Sequence, residues 1–211
     1  MSRFTFADIF TVLNGLFGLL AIYYLDYDLS VFFLLFAVLC DGLDGFVARK
    51  NREKERQGIV MDSLADSVSF VLMPALCLFS LQSHGWLAFL YSLSAFVYIW
   101  CGFYRLSKFT TYDSDLNFFS GLPTPEAALL LVLLIKIIEA DTLAIPFSIL
   151  LSLLMVSNVK YPKIRDKLSY IAGAIILISI GLFFVWSSFL YTLFFFLLIY
   201  LALPIIFRSD L

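Results

Sequence analysis

Asp41, Asp44, Asp62 and Asp66 are four carboxylates in a stretch dominated by Leu, Phe, Val and small residues. Each would cost at least about 2–3 kcal/mol in hydrocarbon, so acids in such a setting face a polar cavity and mark function. Their spacing groups them. Asp41, Asp44, Gly45 and Ala48 follow an i, i+3, i+4, i+7 pattern, one stripe of a helix. Gly58, Asp62 and Asp66 recur every four residues and share one face of the next. The polar run 50–57 between them predicts a hairpin that lays the two helices antiparallel, so that the stripes meet. Four converging carboxylates repel one another unless cations neutralise them. Oxygen donors without His or Cys suit hard divalent ions such as Mg²⁺, Mn²⁺ or Ca²⁺. Two such ions about 4 Å apart clamp the attacking and leaving oxygens of a displacement at phosphorus. Gly45 and Ala48 leave room for a ligand on the same stripe, and Arg49 offers a planar fork to a phosphate.

The elements that must position these acids are membrane helices. Of 211 residues, 62% are apolar and 14% charged, and the mean hydropathy is +0.98. Soluble domains run near half apolar and about a quarter charged, so a soluble enzyme, a disordered chain and a secreted disulfide scaffold are excluded. Cys40, Cys77 and Cys101 form no C-x-x-C pair and are expected as small buried hydrophobes. His84 stands alone at an expected turn, too little for a zinc site. No cleavable leader is read at the N-terminus.

Apolar segments long enough for a bilayer fall at 8–25, 29–49, 59–82, 85–107, 123–140, 142–159, 167–185 and 188–207. The expected fold is therefore an all-α integral membrane protein of about eight transmembrane helices, one domain over 1–211. Orientation follows from Lys and Arg in the short loops. With both termini on one side, every one of the 14 Lys and Arg except Lys136 lies on that side. That side is then the cytoplasm, both termini lie there, and the four aspartates sit at the cytoplasmic ends of their helices. The many aromatic residues are read as membrane anchors and packing groups, so no nucleic acid is expected.

At the acidic motif the chain resembles a known family. Asp41, Asp44, Gly45, Ala48, Arg49, Gly58, Asp62 and Asp66 match every fixed position of the D-x-x-D-G-x-x-A-R-x8-G-x3-D-x3-D signature of the CDP-alcohol phosphatidyltransferases. Residues 62–70, 102–109 and 119–128 are similar to the phosphatidylserine synthase branch, and 157–163 to its archaeal members. Lys108 stands where that branch usually has Arg, which keeps the charge but loses the bidentate fork.

The resemblance implies a membrane enzyme that moves a phosphatidyl or archaetidyl group from CDP-diacylglycerol or CDP-archaeol to L-serine and releases CMP. It implies two divalent cations, Mg²⁺ or Mn²⁺, held by Asp41, Asp44, Asp62 and Asp66, with Asp66 as general base. Asn14, Gly45, Ala48, Arg49 and Gly58 would line the CDP-lipid pocket. For Asn14, a buried amide satisfied by neighbouring helices is an equal reading. Arg105 and Lys108 are the candidates for binding serine, against ordinary anchoring of the fourth span. A homodimer in the cell membrane, with the active site at the cytoplasmic face, is expected, and Gly15 and Gly18 are small enough to support helix contacts. Alternatives keep the chemistry with glycerol 3-phosphate or inositol phosphate as acceptor, or use the acids in a divalent-cation transporter.

Overall fold

The computed structural model describes residues 6–25, 27–51, 56–81, 85–110, 118–138, 141–162, 167–182 and 188–206. Over these the chain is helical apart from one short strand pair. The elements run α1 (Phe6–Tyr23), α2 (Tyr27–Asn51), α3 (Arg56–Asp66), a π-helical segment (Ser67–Leu72), α4 (Met73–Ser80), α5 (Trp86–Lys108), β1 (Phe118–Ser120), α6 (Thr124–Ile138), α7 (Asp141–Val156), β2 (Lys160–Pro162), α8 (Lys167–Leu182) and α9 (Ser188–Ile206). The expected turn at His84 lies outside the described residues, as does the centre of the hairpin after α2.

Among the described residues, four helical stretches are long and apolar enough to cross a membrane: Phe6–Tyr23, Leu29–Val47, Gly58–Ser80 and Trp86–Lys108. The third is continuous through α3, the π-helical segment and α4. The later helices are shorter. α6 has 15 residues, about 22 Å of rise against a hydrocarbon core of about 30 Å. Even so, α6 lies at the centre of the packing, buried at every residue from Ala127 to Ile135. A helix that is apolar all round needs such surroundings. The core joins it to Val31, Leu34 and Leu35 of α2, to Met73 and Leu78 of α4, and to Leu151 and Met155 of α7.

One short strand pair accompanies the all-α architecture. β1 and β2 pair antiparallel, Phe118 opposite Pro162 and Ser120 opposite Lys160. Gly121 follows with φ +85°, its N–H donating to the Val159 carbonyl at 2.8 Å. A Cβ at this position would collide with the Met155 carbonyl, so both the backbone angle and the space demand glycine. The pair ties the entry of α6 to the exit of α7, with Leu122 N–H donating to Leu154 O at 3.0 Å.

Helix α1 packs closely on the acid-bearing helices. A Cβ at Gly18 would overlap Ser69, and one at Gly15 would touch the Ala65 Cβ at 3.6 Å. The small residues of α1 thus serve contacts within the chain, where the sequence had offered them for helix association generally. The π-helical segment has a local cause. Pro74 has no N–H to donate and cannot continue an α-helical ladder. The N–H of Met73 instead reaches back to Val68 O, and the buried Tyr98 hydroxyl donates to Phe70 O at 3.2 Å. Single π turns inside α-helices gather at functional sites, and this one begins at the residue after Asp66. Cys40 and Cys77 are buried and Cys101 half-buried, all free thiols, in keeping with their reading as packing groups.

Candidate active site

Helices α2 and α3 bring carboxylates together as the spacing required. Oxygens of Asp41, Asp62 and Asp66 lie within 4.8 Å of one another. Asp66 is buried and the other two are half-buried. Asp44, one turn further along α2, is buried at 6% exposure and stands outside that closest trio. Its charge still acts on both Asp41 and Asp66.

Polar side chains on α1 hold two of the acids. The Thr11 hydroxyl donates to Asp44 Oδ2 at 3.0 Å, and Asn14 Nδ2 donates to Asp66 Oδ1 at 2.9 Å. Asn14 is itself anchored, since the Ser69 hydroxyl donates to its backbone carbonyl at 2.9 Å. Hydrogen bonds to a charged partner are worth about 1.5–3 kcal/mol, so α1 fixes the carboxylates as well as covering them. A carboxylate oxygen has two lone pairs, which leaves Asp66 free to accept from Asn14 and still serve a ligand. Thr11 and Ser69 were missed in the sequence. A single hydroxyl on an apolar helix leaves no periodic signal.

The donor set fits divalent cations. All the ligating atoms are carboxylate oxygens, and the buried Asp62 Oδ1 has no hydrogen-bond partner among the described residues. An ionised oxygen left so is costly, and a hard cation at the centre of the trio would satisfy it.

The other expected site residues fall around this centre. Gly45 and Gly58 lie on α2 and α3, the acid-bearing helices. A Cβ at Gly58 would meet only Asp8 Oδ1, at an ordinary 3.7 Å, among the described residues. Packing among the described residues therefore leaves room for a side chain there. Ala48 and Arg49 continue α2, and their side chains lie outside the described residues. Arg105 of α5 is buried at 6% exposure. Its guanidinium donates to Thr124 Oγ1 at 3.1 Å, lies 5.2 Å from the Phe109 ring centre, and feels the charges of Glu126, Asp66 and Asp41. Arg105 thus lies within electrostatic reach of the acids. Lys108, one turn later, has a different position. Its ammonium donates to Ser120 Oγ at 2.8 Å and to Asn158 Oδ1 at 3.1 Å, clamping the strand-pair region to α5.

A family model for CDP-alcohol phosphatidyltransferase matches residues 4–192. The chain belongs to that family, whose members are membrane-bound transferases of phospholipid biosynthesis. Among curated relatives, a CDP-diacylglycerol–serine O-phosphatidyltransferase of Methanocaldococcus jannaschii is 36% identical over 165 residues, 78% of this chain and 77% of its own. One of the same name from Helicobacter pylori is 32% identical over 196 residues, covering 86% and 82%. An archaetidylserine synthase of Methanothermobacter thermautotrophicus is 33% identical over 163 residues, covering 74% and 69%.

Proposed function

We propose that this chain transfers the phosphatidyl or archaetidyl group of a CDP-lipid to L-serine, releasing CMP at the cytoplasmic face of the cell membrane. The observation that carries the reading is the convergence of Asp41, Asp62 and Asp66 oxygens within 4.8 Å at the family's signature. The printed activities of the relatives supply the substrates.

Asp41, Asp44, Asp62 and Asp66 would hold two divalent cations, Mg²⁺ or Mn²⁺. Bound there, these ions supply charge neutralisation for the diphosphate and its leaving group. The nucleotide would lie along Gly45, Ala48, Arg49 and Gly58, and the space beside Gly58 among the described residues suits close approach to the backbone. Asn14 holds one oxygen of Asp66 in place. Asp66 then takes the proton of the serine hydroxyl as that oxygen attacks the phosphorus bearing the lipid, and the bond to CMP breaks. A carboxylate positioned in this way contributes about 10²–10⁴ in rate. Arg105 is the cation for the serine carboxylate. Lys108 supports it indirectly, by holding the loop that ends in Thr124.

The whole chain forms one membrane domain of about eight spans with both termini cytoplasmic, which the one-sided distribution of Lys and Arg supports. Outward-facing Trp86, Phe89, Phe96 and Trp100 of α5 suit either lipid or a second copy of the chain.

The test is CMP release by the purified protein in detergent with CDP-diacylglycerol or CDP-archaeol and Mn²⁺ or Mg²⁺. Release is expected with L-serine and absent without it. Release only with glycerol 3-phosphate or inositol phosphate would overturn the acceptor. No metal-dependent turnover with any acceptor would overturn the enzyme.

A further inference from the structure

Glu126 stands in the first turn of α6, two residues beyond the Thr124 that accepts from Arg105. The residue is partly exposed, yet its Oε2 is sealed from solvent and has no hydrogen-bond partner among the described residues. Its charge acts on both Arg105 and Asp41, so it lies within electrostatic reach of the acceptor-side cation and of the acid trio. Nothing in the catalytic reading uses it. Two divalent cations would answer the four aspartates, leaving Glu126 as a further anion in the same enclosed region. With Arg105 already near, what Oε2 lacks is a donor, and a sealed carboxylate oxygen without one is costly until a donor arrives.

Resting on the serine reading, the proposed acceptor is a zwitterion with a carboxylate and an ammonium on one carbon. Arg105 offers a guanidinium to the first. We propose that Glu126 recognises the α-ammonium group of the acceptor, so that Arg105 and Glu126 together select an amino-acid alcohol over neutral or purely anionic alcohols. A site that holds a buried polar group for one substrate rejects the analogue lacking its complement, because the group is then left unpaired. Neutral or anionic acceptors would leave Oε2 in that state.

The competing account makes Glu126 a positioning group for Arg105, and analogues separate the two. Inhibition of serine-dependent CMP release by L-glycerate, which has a hydroxyl where serine has its ammonium, and by ethanolamine, which lacks the carboxylate, requires no reaction of the analogue. Wild-type enzyme in detergent is expected to bind L-glycerate at least about tenfold more weakly than L-serine. Glu126→Gln should raise the KM for serine about tenfold or more while leaving inhibition by glycerate unchanged, and Glu126→Asp should recover part of the loss. Arg105→Lys should weaken serine and glycerate together and spare ethanolamine. Equal weakening of serine and glycerate by Glu126→Gln would overturn the proposal in favour of the positioning account. If that variant does not fold, the wild-type series decides: equal affinity for serine and glycerate overturns the proposal. Absence of any serine-dependent release from the wild type is a separate result and would remove the serine reading itself.

Discussion

The two ends of the chain solve the membrane problem in different ways. Helices α1, α2 and α3 and the π-helical segment are joined by polar bonds: Thr11 to Asp44, Asn14 to Asp66, and Ser69 to the Asn14 carbonyl. In α8 the Ser179 hydroxyl turns back on its own helix, to Ile175 O at 2.7 Å. α9 meets the strand pair through the tilted rings of Tyr161 and Tyr200, 5.7 Å apart. Interhelical hydrogen bonds in membrane proteins contribute about 0.6 kcal/mol on average, whereas those to a charged group reach about 1.5–3 kcal/mol, so the two made to carboxylates are the stronger kind. Among the described residues, the bonds of α1 lie where carboxylates must be held still. The difference teaches that α1–α3 is built as a template for charge, whereas the described side chains of α8 and α9 serve mainly apolar packing.

That contrast can be broken by substitution. The largest effect is expected at Asp66: Asp66→Asn, similar in shape, should lower serine-dependent CMP release at least about a hundredfold with the protein still folded by size-exclusion profile. Removing metal comes next. EDTA should abolish turnover and added Mn²⁺ or Mg²⁺ should restore it, whereas a transporter would show cation flux without CDP-lipid. Asn14→Ala frees Asp66 and removes a bond worth about 1.5–3 kcal/mol, so kcat should fall about tenfold or more, with less change in the KM for serine. Gly18→Val forces a side chain into Ser69 and should lower thermal stability by about 1–3 kcal/mol in a detergent melt. The smallest effect belongs to α8. Ser179→Ala, at a buried hydroxyl bonded within its own helix, should change stability by about 1 kcal/mol or less and leave kcat unaltered. A large loss there would erase the distinction between the two regions.

The acid centre was legible because two signals coincide in it. Carboxylates in an apolar run are conspicuous, and helical spacing alone puts Asp41 on one stripe and Asp62 and Asp66 on another. The long apolar stretches likewise announce α1, α2, α4 and α5. The groups that hold the acids were not legible. Thr11 and Ser69 look like any hydroxyl in a membrane helix, and their partners are 33 residues away in one case and 55 in the other. Glu126 was visible only as one letter in a stretch similar to the synthase branch, because what distinguishes it is the sealed Oε2. β1 and β2 have three residues each, too few to show an alternating pattern. The π-helical segment had Pro74 as its sole sign. Lys108 was a candidate for serine because, with Arg105, it is a cytoplasmic cation outside the acidic motif; its bonds to Ser120 and Asn158 join residues distant in sequence, which no spacing announces.

The most direct test of the central claim, that the aspartates of α2 and α3 form one divalent-cation site, is Mn²⁺ binding followed by electron paramagnetic resonance on the detergent-solubilised protein with CDP-diacylglycerol present. Saturable binding is predicted for the wild type and for Ser179→Ala, with loss in Asp41→Asn and Asp62→Asn. Unchanged Mn²⁺ binding in both aspartate variants would contradict the account.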